Sequence, residues 1–420
     1  MSDVVKWFSS DMQGAPQVTN DWGVLIPMLD ACLITGFNNQ TVSGITRDGT
    51  TVTATFSGGG HGFVLHQVIL VSGASESEYN GEHRVTGVTG TTVTFEVVGS
   101  PATPATGTIS AKAAPLGFEK PFSGTDKAVY RSPNMSGTRL FLRVDNSLAV
   151  GWDSSWAKFA KVTMADAMSG VDVFTGSQAP YDPLSPDKNH LLTGSGLDTY
   201  NGWAKWYYAK NTGSRDDNTS INNGNRKWVL IGDDRGFYLS IAWQPAGLTD
   251  RALYAFGDYN SLIPDDPYAA LLQSRLSYGR VGTNDHPWVF SNAELFSNNT
   301  FHAVLLKPAG GVGDFVYAGG RSLGLQGIAA VSGRNQNPNI APPNPTGSLN
   351  LFCPVYLLET NSTTTSTDLR GTLRGAFWCL MRQPYADEQF VEIEGSDRIY
   401  MALNYYSSQG LVLFDITGAW

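Results

Sequence analysis

The stretch "RKWVLIGDDRGFYLSIAW", residues 226–243, sets the fold class of the larger part of this chain. Two runs of apolar and aromatic residues flank an Asp-Asp-Arg-Gly segment, whose residue types favour a tight turn. The stretch therefore predicts an antiparallel hairpin. We expect Asp233 and Asp234 to shape its turn through side-chain hydrogen bonds to the backbone, and to remain solvated.

The composition extends this prediction to the whole chain. Its 420 residues include 46 glycines and 21 prolines, only 15% are charged, and serine and threonine separate the apolar runs. Such a chain is expected to form more turns and short strands than helices. We therefore predict a mainly β protein, with an antiparallel β-sandwich or barrel body and few short helices.

Residues 41–112 form the clearest local unit. "TVTATF" (51–56) and "TVTFEV" (92–97) alternate between threonine and apolar residues, and Asp48-Gly49 and Thr89-Gly90 are typical hairpin turns. About six short strands in this segment predict a small closed β-barrel or a sandwich, inserted into a longer body. Residues 1–40 would then be an N-terminal arm with a short helix near Pro27. Residues 113–420 would be the body, as one or two subdomains, with a Pro/Asn-rich loop at 335–348.

Charge and cysteine content exclude several functions. The formal net charge of −9, without a Lys/Arg run, argues against nucleic acid as a partner. Cys32, Cys353 and Cys379 are too few and too far apart for a disulfide framework or a zinc site. The beginning of the sequence has no secretory pattern and no apolar run is long enough to span a bilayer, so we expect folding in a reducing cytoplasm.

No pattern typical of an active site is found. There is no G-x-S-x-G, P-loop or metal-ligand spacing, and the histidines are scattered. We interpret His61 and His66, which lie near each other, as polar residues of the small module. The aspartate pairs at 216–217, 233–234 and 265–266 would point apart in turns, whereas a glycosidase requires facing carboxylates. We therefore predict a protein that is not an enzyme, with no catalytic residue, cofactor or metal.

Aromatic residues are the remaining candidates for a functional surface. They cluster in "NGWAKWYYAK" (201–210) and near the N-terminus. Such residues anchor subunit interfaces, stack on sugar rings or fill a core, and on a strand one of the two alternating sets would be core. The candidate interface or ligand contacts are Trp7, Phe8, Trp203, Trp206, Tyr207 and Tyr208.

Several of these stretches resemble bacteriophage proteins. "HGFVLHQVILVSGA" (61–74), "EYNGEHRVTGV" (78–88) and "TTVTFEV" (91–97) are similar in order and spacing to a small β module of tailed-bacteriophage virion proteins. "KWFSSDMQGAP", "LFLRVDNS", "KWVLIGDDRGFYL" and "LFDITGAW" resemble structural proteins of siphophages and Mu-like phages that have no assigned reaction. The resemblance to the structural proteins extends over nearly the whole chain.

The resemblance implies a homo-oligomeric structural component of the virion, in the tail or baseplate, assembled in the host cytoplasm. Its partners would be copies of itself and other tail or baseplate proteins. An alternative is a tail protein that binds a receptor or a host surface glycan. A hydrolase that degrades the cell envelope is the less favoured third possibility.

Overall fold

A computed structural model describes most of the chain, and its strands are joined in antiparallel pairs. The described residues are 4–148 without 59, 152–181, 183, 186, 204–211, 220–245, 251–276, 303–321, 352–360, 368–379, 385–406 without 394, and 410–420. The mainly β prediction is confirmed. Trp203 and the Pro/Asn-rich loop at 335–348 lie outside the described residues.

The N-terminal segment belongs to a sheet and does not form a free arm. Strand β1 (Lys6–Ser9) pairs with β18 (Trp228–Gly232) and is buried along its length. Helix α1 (Leu25–Asp30) follows, and a π-helical turn (Ala31–Thr35) extends it. The helix predicted near Pro27 is thus confirmed, although it begins two residues earlier.

Two four-stranded sheets with a hydrophobic core of their own form the small module. The chain passes from one sheet to the other at Val85 and Thr86: Val85 N–H bonds to Gln67 O, while Thr86 N–H bonds to Thr94 O in the opposite sheet. Because the sheets face each other without a continuous hydrogen-bond ladder around them, the module is a sandwich and the closed-barrel prediction is wrong. The first sheet contains β2 (Phe37–Thr41), β5 (Val68–Ala74), β6 (Gly81–Arg84) and β9 (Gly107–Ala113), and the second β3 (Gly44–Asp48), β4 (Thr51–Thr55), β7 (Gly87–Val88) and β8 (Thr92–Glu96).

A seven-stranded sheet forms one layer of the body. Its strands are β10 (Glu119–Gly124), β11 (Lys127–Arg131), β12 (Phe141–Asp145), β13 (Lys158–Ala165), β16 (Gln178–Ala179), β17 (Ala204–Ala209) and β23 (Arg275–Leu276). A short hairpin of β14 (Met168–Gly170) and β15 (Val173–Phe174) contributes apolar residues to a small cluster with Val129 and Phe141.

A thirteen-stranded sheet forms the other layer and contains the predicted hairpin, now β18 and β19. Besides β1 and β18 it contains β19 (Gly236–Ala242), β20 (Arg251–Asp258), β21 (Asn260–Ser261), β22 (Ala270–Gln273), β24 (Ala303–Leu305), β25 (Val316–Arg321), β26 (Phe352–Thr360), β27 (Asp368–Cys379), β28 (Phe390–Glu392), β29 (Ile399–Tyr406) and β30 (Gly410–Asp415). Its order runs from β1 through β18, β19, β20, β22, β24, β25, β26, β27, β30 and β29 to β28, with β21 on β27.

The large sheet curls until its two ends meet through side chains. Trp7 of β1 contacts Phe390 of β28 with ring centroids 5.2 Å apart. Tyr238 of β19 packs on Phe414 of β30 and donates a 2.9 Å hydrogen bond to the Arg374 carbonyl of β27. The first strands therefore face the last ones across a buried core.

Charged residues are buried inside this core as ion pairs. The Arg374 guanidinium binds both carboxylate oxygens of Asp233, at 3.1 and 2.6 Å. Asp233 also accepts hydrogen bonds from the backbone N–H groups of Arg235 and Gly236, as predicted for its turn. The expectation that Asp233 and Asp234 are solvated is wrong, because both are buried and Asp233 neutralises a buried arginine.

We predict that Arg374→Gln lowers the free energy of unfolding by about 3–5 kcal/mol, because it leaves Asp233 charged and buried without its partner. Lys227→Gln is the matched control: Lys227 pairs with Asp11 at 2.8 Å, but the two side chains are 45% and 61% exposed. This control should cost less than about 1 kcal/mol. Urea unfolding measures both variants, and equal losses would contradict the assignment.

Candidate functional site: a cleft between two hairpins

The aromatic residues nominated from the sequence are buried within the chain. Trp7, Phe8, Trp206, Tyr207 and Tyr208 each have between 0 and 7% of their surface exposed. We predicted that these residues contact a partner or a ligand, but the five side chains have no free surface for such a contact. Trp203, the sixth candidate, lies outside the described residues.

Their packing explains this burial. β17 lies between β13 and β23 and has no solvent-facing side, so both alternating sets of its side chains are covered. Trp206 stacks on Tyr254 of β20 with centroids 5.7 Å apart, and the Tyr254 hydroxyl binds both the N–H and the carbonyl of Tyr207. Tyr208 donates to the Asp21 carbonyl. These residues join the two large sheets.

A cleft of about 650 Å³ opens where the small β14–β15 hairpin meets the β24–β25 hairpin of the thirteen-stranded sheet. One wall is the segment from Asp172 through β15 to Tyr181, and the other is the β24–β25 hairpin, with Lys307, Asp314 and Phe315. Such a volume falls in the range of about 300–1,000 Å³ that is typical of small-ligand sites. No sequence motif marks the cleft, because its walls lie more than a hundred residues apart.

The first wall is fixed by an ion-pair network. Arg143, fully buried, binds Asp172 and lies 3.1 Å from Asp145, and Lys127 reaches Asp172 at 2.9 Å. Burial alone would raise the pKa of Asp172, but its hydrogen bonds to Arg143 and Lys127 outweigh this effect and lower the pKa. Asp172 is therefore a structural carboxylate that anchors the wall.

The second wall is held by local contacts. The Phe315 ring packs edge-on against Tyr317, with centroids 5.3 Å apart, and Lys307 Nζ donates to the Gly313 carbonyl at 2.8 Å. Asp314 is exposed at the rim. In the part of the chain that is described, no group of three or more His, Cys, Asp or Glu is arranged to hold a metal ion. The cleft thus offers aromatic faces and hydrogen-bonding groups.

The small module is held against the body by two cations. Lys6 Nζ binds Glu82 and the Pro115 carbonyl, each at 2.6 Å. Arg84 Nη2 donates to the Val5 and Thr417 carbonyls at 2.9 and 3.1 Å, and burial lowers the pKa of Arg84 to about 10. The module is therefore fastened to both ends of the described chain.

The fold disfavours protonation of two histidines of the module. Burial lowers the pKa of His66, against the opposing effect of Glu392, while nearby Arg84 lowers it further. Burial also lowers the pKa of His83, which stacks on Phe95 with centroids 4.3 Å apart. Protonating either side chain is therefore easier in the unfolded chain than in the folded one.

The described helices include none long and apolar enough to cross a lipid bilayer. All three cysteines are free thiols, and burial raises the pKa of Cys32 well above its usual value.

Comparison with known proteins adds little. No family model matches the chain, and no curated protein matches it. Among solved structures, the chain is similar to one described as "Phage phi92 endosialidase", at 11% identity and a TM-score of 0.15. The match covers 90% of this chain and 52% of that one, so the chain spans about half its length. A similarity this low does not bear on the fold or function of the present chain.

We predict that the protein loses stability as the pH falls from 7.5 to 5.5. The unfolded chain takes up protons on His66 and His83 near pH 6.5, whereas the folded chain resists this until the pH is lower. Thermal unfolding at the two pH values measures the loss. A His66→Gln/His83→Gln double variant should show a smaller loss, and an unchanged pH dependence in that variant would count against these residues as its source.

Proposed function

We propose that this chain is a structural component of a tailed-bacteriophage virion, in the tail or baseplate. It would act through contacts with copies of itself and with other tail proteins, and without catalysing a reaction. The resemblance of its sequence to phage structural proteins supports this proposal. The observation that carries it is an exposed apolar surface at one end of the large sheet. We call this surface the sheet tip; it consists of Leu262, Val312 and Leu369 with the segments around them.

Three large apolar side chains are exposed at the sheet tip. Leu262 is 62% exposed, Val312 85% and Leu369 36%. The Leu262 N–H bonds to the Arg370 carbonyl at 2.8 Å, which places it beside Leu369 at the start of β27. Gly311, next to Val312, lies against the Tyr268 ring. Exposed apolar side chains gathered in one region are typical of protein interaction sites.

A buried arginine of β27 holds the segments of the sheet tip together. Arg370 binds Asp266 at 2.9 Å, donates to the Lys307 carbonyl at 3.1 Å and pairs with Glu359. Glu359 in turn accepts a 3.2 Å hydrogen bond from the Ala309 N–H. The tip is therefore a preorganised surface, which reduces the entropy lost when a partner binds.

Charge indicates the partner's chemistry. Asp265, Asp314 and Asp368 are exposed beside the three apolar residues, whereas Arg370 is buried and neutralised. A subunit that presents apolar side chains flanked by Lys or Arg would complement this surface in both respects. We therefore propose a neighbouring tail subunit with a basic rim as the partner of the sheet tip.

The hydrolase alternative is not supported by the aspartate pairs. Asp233 is bound by Arg374, Asp234 accepts hydrogen bonds from Asn134, and Asp266 is bound by Arg370. Carboxylates held in this way are not free to act as an acid and base pair. The pair at 216–217 lies outside the described residues.

The proposal predicts that the chain is present in purified, intact phage particles at a fixed number of copies. Quantitative mass spectrometry of density-purified particles measures this number. The chain should remain in the particles after washes that remove loosely bound host protein. The absence of the chain from intact particles would contradict the proposal.

For the sheet tip, we predict that Leu262→Lys lowers the number of incorporated copies by about tenfold, which corresponds to about 1.4 kcal/mol of association free energy. It removes apolar contact and adds a charge of the partner's sign. Val98→Lys is the matched control, because Val98 is 93% exposed on the small module, away from the sheet tip. Both variants should unfold at the wild-type temperature. Equal incorporation of the two variants would rule out the tip as the contact surface.

A further inference from the structure

We propose that the cleft between the two hairpins is a binding site for a short, uncharged or amino-sugar oligosaccharide, with Phe174, Tyr181 and Phe315 as the stacking surfaces. This proposal is independent of the virion role. It moves the candidate glycan site from the aromatic residues of 201–210 to the cleft. Four features of the cleft carry it: its fixed rings, an unpaired buried oxygen, its charge and its size.

The Phe174 and Phe315 rings are held in place, and part of each of the three rings remains accessible. Phe174 packs on the apolar cluster that includes Phe141 and Met168, and Phe315 packs on Tyr317. All three stacking residues line the cleft and are partly exposed. A ring that is fixed on one side and open on the other can stack on the C–H face of a sugar with little loss of side-chain entropy.

Gln178 supplies a hydrogen-bond acceptor that has no partner. Its Oε1 atom is buried without a hydrogen bond in the structure, and the residue lines the cleft beside Ser177. An unpaired buried amide oxygen is costly, and a water, an ion or a ligand can satisfy it. Oε1 is shielded from solvent, so a sugar hydroxyl donates to it once the Gln178 side chain rotates toward the cleft.

The charges of the cleft favour an uncharged or cationic ligand. Asp172 is neutralised by Arg143 and Lys127. The Lys307 ammonium donates to the neutral Gly313 carbonyl and keeps its charge, which the Asp314 carboxylate on the same wall offsets. Asp314 remains at the rim and forms no ion pair with the described residues. An acidic sugar or a phosphate would meet this carboxylate in a protein of net charge −9. A neutral sugar or an amino sugar avoids that repulsion.

The size of the cleft matches a short oligosaccharide. Its volume of about 650 Å³ is larger than a single sugar ring requires, and the opening between two hairpins leaves room for a chain to extend. The mixture of hydrogen-bonding groups with only a few aromatic faces disfavours a wholly apolar ligand.

The test is a titration of the full chain with four trisaccharide probes, followed by ligand-observed NMR and calorimetry. The neutral probes are maltotriose, cellotriose and chitotriose, and 3′-sialyllactose is the acidic comparison. We expect at least one neutral probe to bind with a dissociation constant below about 1 mM, and the acidic probe to bind more weakly. No binding of a neutral probe at 10 mM, or tighter binding of the acidic one, would overturn the proposal.

Variants then locate the site. Phe315→Ala and Gln178→Leu should each weaken binding of the positive probe by about tenfold or more, while circular dichroism and the unfolding temperature show that the fold is kept. Phe122→Ala is the matched control, because Phe122 packs on the same apolar cluster as Phe174 but does not line the cleft. Unchanged affinity in both cleft variants would overturn the assignment. Loss of affinity in Phe122→Ala alone would do the same.

Discussion

The bidentate ion pair between Arg374 and Asp233 is the contact on which the curled sheet depends. Arg374 lies on β27 and Asp233 in the turn between β18 and β19, so the pair spans the two halves of the thirteen-stranded sheet. The hydrogen bond from Tyr238 to the Arg374 carbonyl and the packing of Tyr238 on Phe414 lie beside it. A buried ion pair tolerates little change in geometry, because either charge alone would be costly to bury. The pair therefore fixes how the two halves face each other.

Other buried cations extend the same principle to the rest of the molecule. Arg143 anchors one wall of the cleft, Arg370 braces the sheet tip, and Arg84 fastens the small module to the body. In each case a guanidinium binds groups from segments that are distant in sequence. These segments are loops or edges that would otherwise be mobile. The exposed surfaces are thus presented on a rigid frame.

Local turn chemistry made much of the architecture predictable. Asp48-Gly49, Thr89-Gly90 and the turn at Asp233 each separate strands that pair as expected, because turn residues and alternating side chains act over only a few positions. The closed barrel and the solvated aspartates were wrong, since each depends on partners far along the chain.

The amino-acid pattern was therefore sufficient for the β class, most hairpins and the short helix, all of which follow from residue preferences within about ten positions. Which aromatic residues are buried and where the cleft opens depended on long-range packing. Trp7 is covered because its strand pairs with residues 228–232. Asp233 is buried against its partner Arg374, which lies 141 positions away in the sequence. The cleft is formed by two hairpins from different sheets, so neither wall carries a recognisable motif. Side-chain alternation reveals which face of a strand is apolar, but what covers that face is decided only when distant strands come together.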